Sequence, residues 1–568
     1  MPAGSRHLEQ KLGDIAGAED LVDGGEPGSA LFGAEVGSED TAVDAFASQE
    51  LASSARSKET SSIISMIQSE GDQYCRMLVL IVVSLVFFFF FFFYYYYYCG
   101  HEQHHGNIKN QHVPPGSLGF PVIGESWSFV QALREERGSE WIQKRVAMHG
   151  NIFKTSLMGC PTVIVTGRLS NKFVFSADDE TLSLKQPPAV VMLAGKYSIF
   201  ELTGPRYKLV KSVVLRFLKP EALQEYIGPM DSLVKNSLEH ILTMKVKDSS
   251  TIHIVPFMKR LTFNLTCSLL FGLHDEPTNE ALFEDFSDLF KGLWSVPLNL
   301  PGTAFRRALR ARSRIVRRVV LIMKSRREKI SEGLLSAKSD MLSGLLAVEE
   351  ESTDHSSTLS DEEIIDTFVT MMVASHDTTA ILLTLLVWKL ARDPEIYQKV
   401  AQEQTAIIKE RHEKSNGELT WSEIQKMKYT WRVAQEIMRM IPPVFGNFRK
   451  AMKDINFGGY NIPKGWQVFW EASQTHMNNE IFNNATVFDP CRFENSSTSI
   501  PTFTYIPFGA GLRMCSGNEF ARVEALTVMH HMVKNFEWSQ LIPNEPITRN
   551  PMPYPSKGLP IKLKVKET

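Results

Sequence analysis

Residues 361–394, DEEIIDTFVTMMVASHDTTAILLTLLVWKLARDP, read as one long helix that is apolar on nearly every side. Such a helix needs cover all round, so it belongs in the middle of a large core. At 568 residues the chain can build that core and still carry appendages. In the centre of the helix stands ASHDTT, residues 374–379. An aspartate and two threonines in a buried helix are costly unless solvated or hydrogen-bonded. A threonine here returns its hydroxyl to the carbonyl one turn back, loosening the helix and opening a groove. The same residues equally fit a plain helix bend with a satisfied aspartate.

The charge balance of 61 basic to 64 acidic side chains gives no reason to expect a nucleic-acid partner. Seven arginines between Arg306 and Arg318 are a local exception, for which a solvated helix face is the plainer reading. Six cysteines lie far apart without CxxC spacing, which argues against a disulfide framework or a structural zinc. Five of them read as inert thiols.

The N-terminal part has a different composition. Residues 1–75 hold 14 acidic and 4 basic side chains with few aromatics, a disorder-prone mixture. From Met77 to Tyr98 the chain is MLVLIVVSLVFFFFFFFYYYYY, which as a helix would span about 33 Å, enough for a bilayer core. The terminal tyrosines suit the membrane–water boundary. Met77 opens this run, so 1–76 reads as a disordered acidic extension ahead of a native start. No small-residue cleavage site follows, which disfavours a signal peptide. Residues 99–126, ending in VPPGSLGFPVIGES, read as a linker and stiff Pro/Gly-rich hinge, and 127–568 as the catalytic domain. Helical patterns dominate there (220–242, 307–335, 361–394), with strand-like pieces at 152–167 and 455–470. The expected fold is mainly α with a minor β-sheet.

Three further segments carry chemistry. In AQEIMRMIPP, Glu436 and Arg439 share one helix face and can pair, and Pro442 and Pro443 stop the helix. FDPCRF supplies Arg492, a second guanidinium for a bidentate network on the glutamate. Near the C-terminus, TYIPFGAGLRMCSGNEFAR sets Cys515 among Gly509, Gly511 and Gly517, with Arg513 two residues before it. The glycines allow positive φ and close backbone approach, and Phe508 can shield one side of the sulfur. A helix begins just after Cys515, and its N-terminal end favours a thiolate.

Together these pieces resemble the cytochrome P450 family. The run Phe508–Gly517 is similar to the haem-binding signature F-x-x-G-x-R-x-C-x-G, and the other motifs stand in the family's order across residues 105–565. The resemblance implies a cytochrome P450 fold preceded by one N-terminal transmembrane helix, with haem b as cofactor and Cys515 as the proximal ligand of its iron. It places Phe508, Gly511 and Gly517 in the haem loop, and Arg513 and Arg449 at the propionates. Tyr207, Lys208 and Lys211 stand where the family usually has further propionate partners. Glu436, Arg439 and Arg492 correspond to the structural triad, and Asp377 and Thr378 to the oxygen-activating pair. No flavin, nicotinamide or iron–sulfur fingerprint is present, so electrons would come from NADPH through NADPH–cytochrome P450 reductase. The implied location is the endoplasmic reticulum membrane, single-pass, with the catalytic domain in the cytosol.

RFLKPEAL, LPGTAFRRALRAR, NIPKGWQVFW and PMPYPSKGLPIKL are similar to the plant terpenoid and sterol clan, closest to its triterpene C-28 oxidase and taxane hydroxylase group. A small apolar polycycle is the implied substrate, lined by Met371, Val373, Ala374, Val444, Phe445, Met552 and Pro553. Ser375 stands where the family has glycine, Ser516 where it has a small apolar residue, and lysines replace arginine near Tyr207. These departures leave two alternatives open: a reductase-independent isomerase or dehydratase, and a degenerate, non-catalytic haem-binding membrane protein. The retained Asp377–Thr378 pair argues against the first.

Overall fold

The computed structural model describes residues 77–90, 112–120, 123–245, 251–348, 358–414, 418–494, 500–550 and 552–566. It divides into two units, residues up to Phe92 and those from Phe93 onward. In the first, residues 77–90 form an apolar helix with every side chain exposed. Its rise is about 21 Å at 1.5 Å per residue. The rest of the expected 77–98 span, the acidic extension 1–76 and residues 99–111 lie outside the described residues.

The second unit joins a small sheet to a large helical body. Five strands, β1 (Ile152–Leu157), β2 (Cys160–Val165), β3 (Leu182–Lys185), β4 (Gly446–Ala451) and β5 (Gln467–Glu471), pair in the order β1-β2-β5-β4-β3. Only β2 and β5 run parallel, with Val163 opposite Val468. The Pro/Gly-rich segment is irregular, as its composition predicts, and is bonded to the sheet edge. Lys154 N–H donates to the Pro115 carbonyl at 2.7 Å and Glu125 N–H to that of Ser156 at 3.0 Å.

The helices that matter for the site are α1 (Gly204–Leu218), α2 (Ile254–Leu265), α3 (Asp361–Arg392), α4 (Lys428–Met440) and α5 (Asn518–Asn535). By length and apolarity α3 could cross a membrane, but it runs through the protein instead, with 20 of its 32 residues buried. Each large apolar side chain it buries contributes roughly 1.5–3 kcal/mol. Its start is fixed by a capping box, in which Ser360 and Glu363 satisfy each other's backbone N–H groups.

The arginine row lies on the helix Ala304–Ser331 and is not simply a solvated face. Arg314 and Arg318 converge on buried Asp285, while Arg312 bonds Asp366 of α3 at 2.5 Å and the Leu193 carbonyl at 3.1 Å. Three of the seven thus tie neighbouring helices together, which helical periodicity alone could not reveal.

Glu436 and Arg439 form the most deeply buried ion pair, both wholly inaccessible, with two parallel bonds of 2.7 and 2.8 Å. The remaining Arg439 donors go to the carbonyls of His476 and Ala485, each at 2.7 Å, and to Met477 Sδ at 3.3 Å. Arg492 joins Glu436 at 3.3 Å and reaches the carbonyls of Asn483, Asn484 and Val487. His476 extends the brace: its Nε2 accepts the Ile506 N–H at 2.9 Å, so its Nδ1 carries the proton and donates to the Arg439 carbonyl at 3.2 Å. Ile506 stands just before the cysteine loop, so α4 grips that loop through one neutral imidazole.

Removing one partner of such a pair strands a buried charge, so Glu436→Gln is expected to destabilise the fold by about 3–5 kcal/mol, read from the urea midpoint. A second expectation concerns acid. Burial lowers the pKa of His476 to about 3, His530 to about 3 and His376 to about 4. A depressed histidine keeps its full stabilising effect above its unfolded pKa of about 6.5 and loses it as pH falls toward the folded value. Stability should therefore decline between pH 6.5 and 4, by about 1.4 kcal/mol per unit per histidine. His476→Gln should flatten that slope in urea titrations.

Candidate active site

The cysteine loop closes on itself through short backbone bonds. Gly509 N–H donates to Ile506, Met514 N–H to Gly511 and Cys515 N–H back to Phe508, all at 3.0–3.1 Å. Gly511 has φ +67°, and a Cβ there would lie 1.9 Å from the Phe175 carbonyl oxygen. Only glycine lets the loop approach the helix Arg168–Ser176 this closely. Phe508 packs against the main core. Gly517 has open space beside it and caps the start of α5.

Cys515 has accessible surface and yet is set among dense protein. Burial raises its thiol pKa, while the Gly517 backbone N–H and the Lys211 charge pull it down. These two groups are the chain's own means of favouring a thiolate.

A cationic patch lies beside the loop. Arg513 pairs with Asp179 at 2.8 Å, donates to the Leu202 carbonyl at 2.7 Å and stacks 3.6 Å over the Tyr207 ring. Tyr207, from α1, donates to the Leu512 carbonyl at 3.0 Å, and Lys211 reaches the same oxygen. Lys208 is exposed, and no hydrogen bond ties it to this group. Arg449 of β4 is 4 % exposed, with Nε and Nη1 buried and unpartnered. Burial, helped by the Arg513 charge, depresses its pKa to about 10. One thiol beside two guanidiniums, one of which keeps buried donors without partners, is a donor set that fits an iron porphyrin bearing acidic side groups.

Around ASHDTT, Met371, Val373, Ala374, Ser375, Asp377 and Thr378 are partly accessible, while Met372, His376 and Thr379 are buried. The i, i+3, i+4, i+7 spacing of Met371, Ala374, Ser375 and Thr378 puts these four on one face of the helix. Thr378 returns its hydroxyl to the Ala374 carbonyl at 2.7 Å, and Ser375 to that of Met371 at 2.8 Å. Ser375 also accepts from Thr266 at 3.1 Å, where α2 runs into a π-helical turn, Thr266–Leu270. Its hydroxyl is thus committed to neighbouring protein. Asp377 is bound by Lys259 at 2.8 Å and by the Tyr554 hydroxyl at 2.7 Å. Two residues on, Thr379 meets α5. There Glu524 is wholly buried without a full hydrogen bond on either oxygen, and burial raises its pKa well above normal, tempered by the Thr379 hydroxyl.

Among the expected substrate contacts, Met371, Val373 and Met552 pack on the same main core. Phe445 packs in a separate cluster with Phe129, Trp141 and Phe469, and Val444 is exposed. Arg549 links the two regions: it donates to the carbonyls of Pro442 and Pro443 at 3.1 and 3.0 Å and stands directly opposite Pro553 in the pairing of the two short strands. His476, Asp179, Lys259, Tyr554 and Glu524 were invisible to motif reading because each acts across the fold, from more than 30 residues away.

Arg449→Leu should leave the apoprotein as stable as before or stabilise it, since it removes an unpaired buried charge. The same change should speed haem loss by about tenfold, the equivalent of one charge-assisted bond. Haem transfer to a scavenger and apoprotein unfolding measure the two effects.

A family model described as cytochrome P450 matches residues 114–564. The chain is 38% identical over 461 residues to taxane 13-alpha-hydroxylase of Taxus cuspidata, covering 81% of this chain and 93% of that one. It is 38% identical over 470 residues to beta-amyrin 28-monooxygenase of Barbarea vulgaris, covering 81% and 94%. Among solved structures, retinoic acid-bound cyanobacterial CYP120A1 superposes with a TM-score of 0.70 at 30% identity, covering 80% of this chain and all of that one. With the family matched over most of its length and the fold shared by a solved relative, the chain belongs to the cytochrome P450 family and is a cytochrome P450 monooxygenase.

Proposed function

We propose that this monooxygenase oxidises an apolar polycyclic terpenoid, in the triterpene, diterpene or sterol-like range. Two observations support the reading: similar relatives carry the names of taxane and beta-amyrin oxygenases, and the accessible face of α3 begins with apolar Met371 and Ala374. The observation that carries the chemistry is Cys515, an accessible thiol in a loop that closes only because glycine occupies 511.

Cys515, with Arg449 and Arg513 to meet acidic side groups, would hold a haem, which would supply the oxygen-activating chemistry. The chain's own residues provide position, dryness and protons. Buried side chains around α3 exclude water from most of the helix. Thr378 presents a hydroxyl on the accessible face; rotated from the Ala374 carbonyl, it can pass a proton toward that face. Asp377, one residue earlier and partly accessible, connects Thr378 to solvent. Glu436, Arg439 and Arg492 act only as a brace for the cysteine side.

Electrons come from NADPH through NADPH–cytochrome P450 reductase. The apolar helix at 77–90 is the proposed start of a single-pass anchor in the endoplasmic reticulum membrane, with 1–76 an extension, 99–126 a linker and 127–568 the cytosolic catalytic domain. In that topology the N-x-S/T asparagines Asn264, Asn484 and Asn495 stay unglycosylated.

Microsomes containing the enzyme and reductase should convert a polycyclic probe, beta-amyrin or a taxadiene, to a product with added oxygen, and only with NADPH. Product without NADPH would favour the isomerase reading; oxidation confined to linear fatty acids would overturn the substrate class. Thr378→Val should cut product by about 10²-fold while NADPH consumption continues.

A further inference from the structure

Lys259 and Tyr554 approach Asp377 from two elements distant in sequence. Lys259 lies on α2, and Tyr554 on the short strand Pro553–Pro555 that pairs with Ile547–Arg549. Both donate to the same carboxylate oxygen: Lys259 Nζ lies 2.8 Å and the Tyr554 hydroxyl 2.7 Å from Asp377 Oδ1. The hydroxyl also lies 3.1 Å from the Asp377 backbone carbonyl, so it locks side chain and backbone together. Lys259 stacks 4.5 Å over the Tyr554 ring. Oδ2 takes no protein donor among the described residues, and the Asp377 side chain remains 13% exposed.

A carboxylate held by two donors on one oxygen cannot rotate freely; it offers its other oxygen in a fixed direction. Burial, and then the Asp377 charge, push the Tyr554 phenol well above its ordinary pKa, so it stays a donor. We infer that Tyr554 is a positioning residue for the proton path: with Lys259 it pins Asp377 Oδ1 and leaves Oδ2 to exchange protons with solvent and Thr378. Tyr554 also lies two residues from Met552, so seating of the C-terminal loop and presentation of Oδ2 are mechanically joined. This rests on the reading of Asp377 as the solvent link of Thr378.

The test uses reductase-reconstituted holoprotein without substrate, following NADPH consumption in H2O and D2O, with imidazole as the spectral binding probe. Tyr554→Phe deletes one oxygen atom. It should slow NADPH consumption about fivefold and raise the solvent isotope effect. The imidazole Kd and the melting temperature should stay unchanged. Asp377→Asn should be slower still, and the double variant no slower than Asp377→Asn alone. If Asp377→Asn is slow but Tyr554→Phe matches the parent in rate and isotope effect, the inference fails and the relay stands. If Asp377→Asn itself matches the parent, the relay fails and the inference with it. Additive losses in the double variant would also overturn the inference, since Tyr554 would then act elsewhere. Should Tyr554→Phe not retain haem, Lys259→Gln is read by the same criteria.

Discussion

The fully buried Glu436–Arg439 pair is the constraint on which the cysteine side depends. Two opposite charges without water are tolerable only when every donor and acceptor is met, and here they are. The guanidinium fork is divided between one carboxylate, two carbonyls and the Met477 sulfur, and the carboxylate also accepts from Arg492 and the Asp489 N–H. Because neither charge can be stranded, the carbonyls of His476 and Ala485 have fixed places. His476 then passes that rigidity to Ile506, and Ile506 to the turn that ends at Cys515. A loop of this composition, left alone, would sample many shapes; held at its root, it presents one sulfur in one direction.

The other side of the chemistry follows a different rule. The central helix is stable because it is apolar, but its function requires polar groups, and these are kept local. Thr378 and Ser375 spend their hydroxyls on the helix's own carbonyls, while Thr262 of α2 and Thr266 of the π-helical turn after it meet it from outside. Asp377, like Asp366 earlier on the helix, is met by a cation, and the fold supplies a phenol for it as well. Glu524 on α5 takes the opposite course: it is enclosed without an ion-pair partner, and burial pushes its carboxyl well above the usual range.

Much of this was legible in the sequence, for specific reasons. The period of α3, the glycine setting of Cys515 and the i, i+3 spacing of Glu436 and Arg439 are local signals, and the structure forms the helix, the turn and the pair where they stand. The residues that complete the site are not local. Asp179 meets Arg513 across 334 positions and Tyr554 meets Asp377 across 177. No pattern in either segment reports the other. The arginine row misled for the same reason, since the carboxylates that bind it lie on neighbouring helices.

One sulfur carries the account, and reduction in the presence of carbon monoxide reads it directly. The purified, haem-loaded protein is predicted to show the strongly red-shifted Soret band of thiolate-ligated iron, lost in Cys515→His without loss of the fold. A well-folded parent protein that binds haem yet gives only the carbon monoxide band of a histidine-ligated globin would contradict it.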